Sequence, residues 1–210
     1  MRYSHAKSGF AVEVSDQKSA TLGACADFTT YLNGPFSIVF HAKFETPGQN
    51  FFLSGLGGGN AILNIARNSD DLNDDSITFN TLDEDSHEIS VKWAGIVADH
   101  DWNNFIFSCT APLEDGGIKL FLDNVEATIF SETHDQDFSI QEALTIKLGE
   151  TGAAGVNTNI TAIYFYDRVL TATERARIQK GVYPTDYLKA FPFHFPHRGL
   201  NEALPTWVNV

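Results

Sequence analysis

Between Phe36 and Phe44 the chain alternates. Phe36, Ile38, Phe40, Ala42 and Phe44 share one parity, while Ser37, His41 and Lys43 fall between them. A period of two is that of a half-buried strand; in a helix the same residues would spread round the axis. Shorter runs repeat the pattern at Phe10/Val12/Val14, Ile89/Val91/Trp93, Phe105/Phe107/Cys109, Ile118/Leu120/Leu122 and Leu144/Ile146/Leu148. Ala162, Tyr164 and Tyr166 follow on one face, with Ile163 and Phe165 on the other. Turn formers separate these runs: Asn33-Gly34-Pro35, Pro47-Gly48, Gly57-Gly58-Gly59, Glu114-Asp115-Gly116-Gly117 and a glycine-rich stretch at 152–155. About a dozen short strands with turns at this spacing predict an all-β sandwich or barrel rather than βαβ units.

One helix interrupts the strands. Thr171-Ala-Thr-Glu174 is a capping box, in which hydroxyl and carboxylate satisfy the orphan N–H groups of a first turn. Basic residues follow towards Lys180, and Gly181 is the stop. This predicts a short polar helix across one end of the sandwich. From Val182 the texture changes: Pro184, Pro192, Pro196 and Pro205 stand among Tyr183, Tyr187, Phe191, Phe193, Phe195 and Trp207. Proline disfavours regular structure, yet so aromatic a stretch belongs against a surface. The expected division is therefore a sandwich over 1–181 and an extended arm over 182–210. Phe191, Phe193 and Phe195 fall on one side of an extended segment. With Trp207 they are the expected interface, in a strap over the chain's own sandwich or in an arm packed on a neighbouring subunit.

Composition narrows the class. Seventeen Phe against one Met lean towards pleated surfaces, and 210 residues suffice to bury a core without disulfide or metal. Twenty-seven Asp and Glu against 14 Lys and Arg leave a net charge of −13, which excludes a phosphate backbone as partner. No run approaches about eighteen apolar residues, so no membrane insertion is expected. The N-terminal residues lack the apolar stretch of a secretory signal, and Cys25 and Cys109 read as reduced buried thiols. The expectation is a chain folded in a reducing cytoplasm.

Four stretches resemble the laminin-G/concanavalin-A-like jelly roll. Asp101-Trp102-Asn103-Asn104-Phe105-Ile106-Phe107 resembles that family's tryptophan-led strand, and the run from Gly117 to Asp123-Asn124 its "YVDG" hairpin. Leu144-Thr-Ile-Lys-Leu-Gly149 is similar to the "l-x-IG" strand. The run from Asn159 to Leu170, followed by Thr171 and Glu174, looks like the closing "IDEVRIYDRALS-x-x-E" segment. Asn124 stands where glycine usually closes the hairpin, and asparagine tolerates positive φ. The resemblance implies an antiparallel two-sheet jelly-roll sandwich. The fold hosts lectins, adhesion modules, hydrolases and viral coat parts, so it does not select a function.

Candidate chemistry is sparse. Hydrolases of this class carry an E-x-D-x-x-E strand; Asp83-Glu-Asp85-Ser-His-Glu88 echoes it, but also reads as an acidic turn between two strands. Asp70, Asp71, Asp74 and Asp75 pack hard oxygen ligands into one loop, as calcium prefers, although the EF-hand pattern is missing. From Arg67 to Asp101 ten acidic residues face two basic ones, so a bound calcium would relieve repulsion. The alternative is a solvated acidic face. Gly55-Leu-Gly-Gly-Gly59 lacks the lysine of a phosphate loop and reads as a turn, and His194/His197 make a weak metal pair. Asn159-Ile-Thr161 is a formal glycosylation sequon inside a strand.

These readings point to binding rather than catalysis, with no cofactor required and calcium possible. The sandwich, the missing signal and the aromatic arm together resemble a bacteriophage virion component. Such a capsid decoration or tail protein would sit at the virion surface and assemble through the arm with other virion proteins or itself. A cell-surface glycan is a further expected partner. The alternative is a calcium-dependent carbohydrate-binding module or lectin, and a third reading is a glycan endohydrolase acting through Asp83, Asp85 and Glu88.

Overall fold

In the computed structural model, backbone is described for 2–6, 9–14, 20–25, 31–44, 50–57, 62–68, 75–96, 101–110, 113, 117–135, 137–141, 143–148, 158–187 and 189–192. Side chains are described for 31–44, 53–57, 62–67, 75–96, 101–110, 113, 117–135, 137–141, 143–148 and 159–187. In chain order the strands are β1 (Arg2–Ala6), β2 (Gly9–Val14), β3 (Ala20–Cys25), β4 (Phe36–Phe44), β5 (Asn50–Leu56), β6 (Ile62–Asn68), β7 (Ser76–Leu82) and β8 (Glu88–Ala94). Then come β9 (Asn103–Cys109), β10 (Lys119–Leu122), β11 (Val125–Glu126), β12 (Ile129–His134), β13 (Leu144–Leu148), β14 (Thr158–Tyr166), helix α1 (Ala172–Ile178) and β15 (Lys189–Pro192).

They form an antiparallel two-sheet sandwich. One sheet runs β1-β2-β14-β4-β9-β10-β11, with β15 also on β14; the other runs β12-β8-β7-β6-β5-β13-β3. The alternation of β4 sets the layering. Phe36, Ile38, Phe40, Ala42 and Phe44 face inward and are fully buried. Across the core Phe107 meets Trp93 edge-on at 5.8 Å, and Phe36 stacks over Phe79 at 6.3 Å. Each such ring contributes roughly 2–3 kcal/mol by leaving water. Gly55 lies where a Cβ would come within 3.1 Å of Ile146 and 3.2 Å of Leu63. A glycine of the supposed turn is thus a packing position in β5.

The helix departs from expectation. It lies on the outer face of the eight-stranded sheet rather than across an end, because its apolar side has a row to cover. Register places Tyr164, Val39, Ile106 and Phe121 side by side across β14, β4, β9 and β10. Leu170, Ile178, Tyr183 and Tyr187 pack on that row. The guanidinium of Arg175 lies 3.8 Å from the Phe121 ring centre, and Tyr183 stacks on Tyr164 at 4.3 Å. The capping box forms as read, with the Glu174 N–H donating to Thr171 Oγ1 and the Thr171 N–H to Glu174 Oε2. Gly181 ends the helix at φ 76°, its N–H on Ile178 O and the Val182 N–H on Arg177 O. Arg168 then grips both sides of the turn, bonding Glu174 at 2.7 and 2.9 Å and Asp186 at 2.8 and 3.0 Å.

Beyond the helix the proline-rich stretch is more regular than expected. Lys189–Pro192 adds a strand to β14, with Pro192 as its last residue, where a missing N–H costs the ladder least. No helix among the described residues is long and apolar enough to cross a membrane.

Candidate functional site

The acidic positions singled out by the sequence serve the turns. Asp83 is 2% exposed at the end of β7 and accepts the N–H groups of Asp85 (3.0 Å), His87 (2.9 Å) and Ser139 (3.1 Å), plus His87 Nδ1 at 2.9 Å. Burial pushes its carboxyl up, but the bonds from His87 and Ser139 outweigh it and hold Asp83 below the usual range. The same pairing raises His87. Asp85 sits exposed at the tip of the turn. Glu88 opens β8, accepting Asn80 Nδ2 at 2.6 Å while its N–H donates to Asp135 at 2.7 Å. The three carboxylates therefore do not line up along one strand: Asp83 caps the hairpin and, through Ser139 N–H, ties it to the segment at 135–141, and Glu88 bonds across to Asn80.

Of the four proposed calcium ligands, Asp75 is described, and Asp70, Asp71 and Asp74 lie outside the described residues. Asp75 bonds the buried guanidinium of Arg67 at 2.7 Å, and Arg67 lies over the Phe44 ring at 4.7 Å. A cation would compete with that guanidinium for the same carboxylate. Among the described residues no three metal-ligating side chains cluster. Phe191 lies on β15, opposite Ile163. Its side chain and Phe193, Phe195 and Trp207 are outside the described set, as are His194 and His197. Cys109 is a buried free thiol. Asn159 and Thr161 of the sequon are also buried.

A polar constellation arises elsewhere. Two residues along each strand from the covered row, and so about 7 Å away, the outer face presents Ala162, His41 and Asn104 in register. Asp123 continues the row, its N–H on Asn104 O at 3.0 Å. It belongs to the β10–β11 hairpin turn, where Asp123 and Asn124 both take positive φ, 46° and 69°. That is the two-residue turn for which asparagine can replace glycine. Asp123 Oδ1 accepts the Asn104 N–H at 3.0 Å and Asn104 Nδ2 at 3.4 Å.

The β14 bulge falls between Ile160 and Ala162 and turns Thr161 onto His41. Thr161 donates its hydroxyl proton to His41 O at 3.2 Å and bonds His41 Nδ1. Trp102, half-buried ahead of β9, stacks on the His41 ring at 5.1 Å and 27°. Asn104 Oδ1 and Asn124 Oδ1 are buried and have no hydrogen-bond partner among the described residues.

This row escaped the sequence reading because its members are distant in the chain and meet only through the register of β4, β9 and β10. The signals were His41 on the polar parity of β4 and the Trp102, Asn104 and Asp123-Asn124 positions inside the motifs that carried the family resemblance.

No protein-family model matches the sequence, and no curated protein matches it. Solved structures share the fold. The receptor binding domain of the botulinum neurotoxin C/D mosaic serotype aligns with a TM-score of 0.63 at 11% identity, over 86% of this chain and 45% of that one. The botulinum neurotoxin DC binding domain, solved in complex with rat synaptotagmin II, gives 0.61 at 13% identity, over 86% and 44%. CBM40 of the Ruminococcus gnavus IT-sialidase gives 0.59 at 14% identity, over 80% and 96%. The chain thus spans less than half of either toxin domain and nearly all of the bacterial module. At these identities the likeness is one of fold.

Proposed function

We propose that this chain is a non-enzymatic recognition domain that binds glycan through the His41, Asn104 and Asp123 row. The observation that carries the reading is the stacking of the half-buried Trp102 on His41, in register with the bonded Asn104 and Asp123, on a sheet face whose neighbouring row the helix covers. An aromatic surface beside fixed polar atoms suits a sugar, which has apolar C–H faces and a polar rim. The toxin receptor-binding domains and the carbohydrate-binding module that share the fold support a binding role. Placement on a virion surface, expected from the sequence, adds a location to this role and enlists no described residue.

A glycan microarray tests the reading. The folded chain should bind a restricted set of glycans, and Trp102→Ala should lose them while keeping its circular dichroism spectrum. An array without signal, or one that Trp102→Ala leaves unchanged, would remove the outer-face row from the function.

A further inference from the structure

We infer that Asp83 and His87 form a pH-governed latch on the segment at 137–141, tightened when the imidazole gains a proton and opened when the carboxylate does. The latch enlists none of the residues of the glycan row. Topology creates the need for one. In their sheet β12 and β13 are separated by β8, β7, β6 and β5, so the connection between them must cross one end of the sandwich. Phe138 and Ile140 of that connection are buried in the main core, 2% and 1% exposed, while the segment itself belongs to no strand. Without a ladder its backbone is held by side chains. The Ser139 N–H donates to Asp83 Oδ2 at 3.1 Å, the Gln141 N–H to Glu84 Oε1 at 3.0 Å, and Asn33 Nδ2 to Ile140 O at 3.1 Å. The first two ties end on carboxylates of the hairpin that joins β7 to β8.

Asp83 is the centre of the latch. Its Oδ1 accepts the N–H groups of Asp85 and His87, and its Oδ2 those of Ser139 and the His87 ring. An ionised carboxylate only accepts, so Nδ1 carries a proton in both charge states of His87 and the second proton goes to Nε2. The ring is 36% exposed, so solvent can deliver that proton without opening the hairpin. Gaining it turns a neutral bond into a charge-assisted one, roughly twice as strong. Protonating Asp83 does the reverse: a further hydrogen enters a group already facing four donors, and one N–H loses its acceptor. The charges facing the ring are Asp83 of its own turn and Asp135 and Asp137 of the crossing connection. Glu84, Asp85 and Glu88 lie beside it on the hairpin, and the Glu132–His134 pair stands on the neighbouring β12. The carboxylates favour the imidazolium. The bond to Asp83, helped by Asp135 and Asp137, raises His87 above 6.5. Burial pushes Asp83 up, but the bonds from His87 and Ser139 prevail and keep it below 3.8. The His87 contribution is therefore complete below 6.5 and lost as pH rises through its raised value. The Asp83 contribution is complete above 3.8 and lost as pH falls through its lowered value. The latch is tightest between these limits.

The test is amide hydrogen exchange of the whole chain by NMR, corrected for intrinsic rates, from about pH 2.5 to about pH 8. The Ser139 amide should be most protected between 3.8 and 6.5 and lose protection on either side, by a larger factor than Val39 in the buried β4. His87→Gln should flatten the alkaline side alone. Asp83→Asn should lower Ser139 protection about tenfold at about pH 5. It should also return the His87 ring titration to 6.5. Should Asp83→Asn not fold, the native chain and His87→Gln decide alone. Ser139 protection that stays level from about pH 5 to about pH 8, or falls equally in His87→Gln, overturns the latch. So does an acid loss in which Ser139 and Val39 change by the same factor, since that is unfolding of the whole sandwich.

Discussion

Two rows of the same sheet face, about 7 Å apart, have opposite fates. Tyr164, Val39, Ile106 and Phe121 are covered by α1 and the chain that follows it. Ala162 still belongs to that cluster, but His41, Asn104 and Asp123 beside it do not; these three carry side-chain bonds, with Asn104 Oδ1 left without a partner among the described residues. The strands are shared, so propensity cannot explain the difference. The seam lies one row to the other side of the apolar residues, where Ser37 and Ser108 hydroxyls meet at 2.8 Å and Ser37 Oγ accepts the Leu170 N–H at 3.0 Å. That bond starts the helix over the apolar row, and Arg168 holds the returning chain there. A sheet can therefore close one part of its outer face for stability and keep the next for recognition.

The largest expected effect is on the covered row. Tyr164→Ala removes a ring that is 7% exposed and stacked on Tyr183, and should cost about 3–5 kcal/mol in urea denaturation. A loss below about 1 kcal/mol would mean that the helix covers the row without needing it.

Arg168→Ala comes next. The pairs are partly exposed, so solvent screening limits the loss to about 1–2 kcal/mol despite four charged bonds. Its acid profile is more telling. Arg168 holds the Glu174 carboxyl down to about 2 and lowers Asp186 as well. A carboxyl depressed on folding stabilises above its unfolded value, 4.5 for Glu174, and that stability drains away as pH falls towards 2. The native chain should therefore lose stability across this window, and Arg168→Ala should show a flatter slope there.

The smallest effect is expected in the polar row. Asn104→Ala gives up a 3.4 Å bond to Asp123 but also removes a buried oxygen that has no partner among the described residues. It should shift stability by less than about 0.5 kcal/mol. A loss above about 2 kcal/mol in the same denaturation would make the row structural and erase the contrast.

The covered half was more legible than the open one. Alternation in β4 and the Thr171/Glu174 box are local patterns, and both formed as read. Pairing of Ile163 and Phe165 against Ala162, Tyr164 and Tyr166 was local too, but not which face the helix would cover. The helix position depended on Leu170 and Ile178 finding Val39 and Ile106, partners more than sixty residues away along the chain in each case. The polar row was harder still. Nothing near His41 in sequence points to Asn104 or Asp123; the inward phenylalanines fix the register, and register alone sets these three side by side. Asp83 shows the converse, since an acidic run gives no sign of which carboxylate a turn will bury.

At Thr161, where the β14–β4 ladder bulges, the other edge of β14 passes from one partner strand to another. Val14 and Val12 of β2 pair with Thr158 and Ile160, whereas Pro192 to Lys189 of β15 pair with Ala162 to Phe165. One strand is thus completed by a segment from the first fifteen residues and another from beyond residue 188. Closing both ladders brings together remote parts of the chain, at an entropic cost that local contacts do not repay in advance. Such contact order belongs to chains that fold in milliseconds to seconds rather than microseconds. The β14–β2 ladder, which joins Thr158 to Val14, is the more remote of the two, whereas the β14 tyrosines are covered by Leu170, Ile178 and Tyr183 close by in the chain.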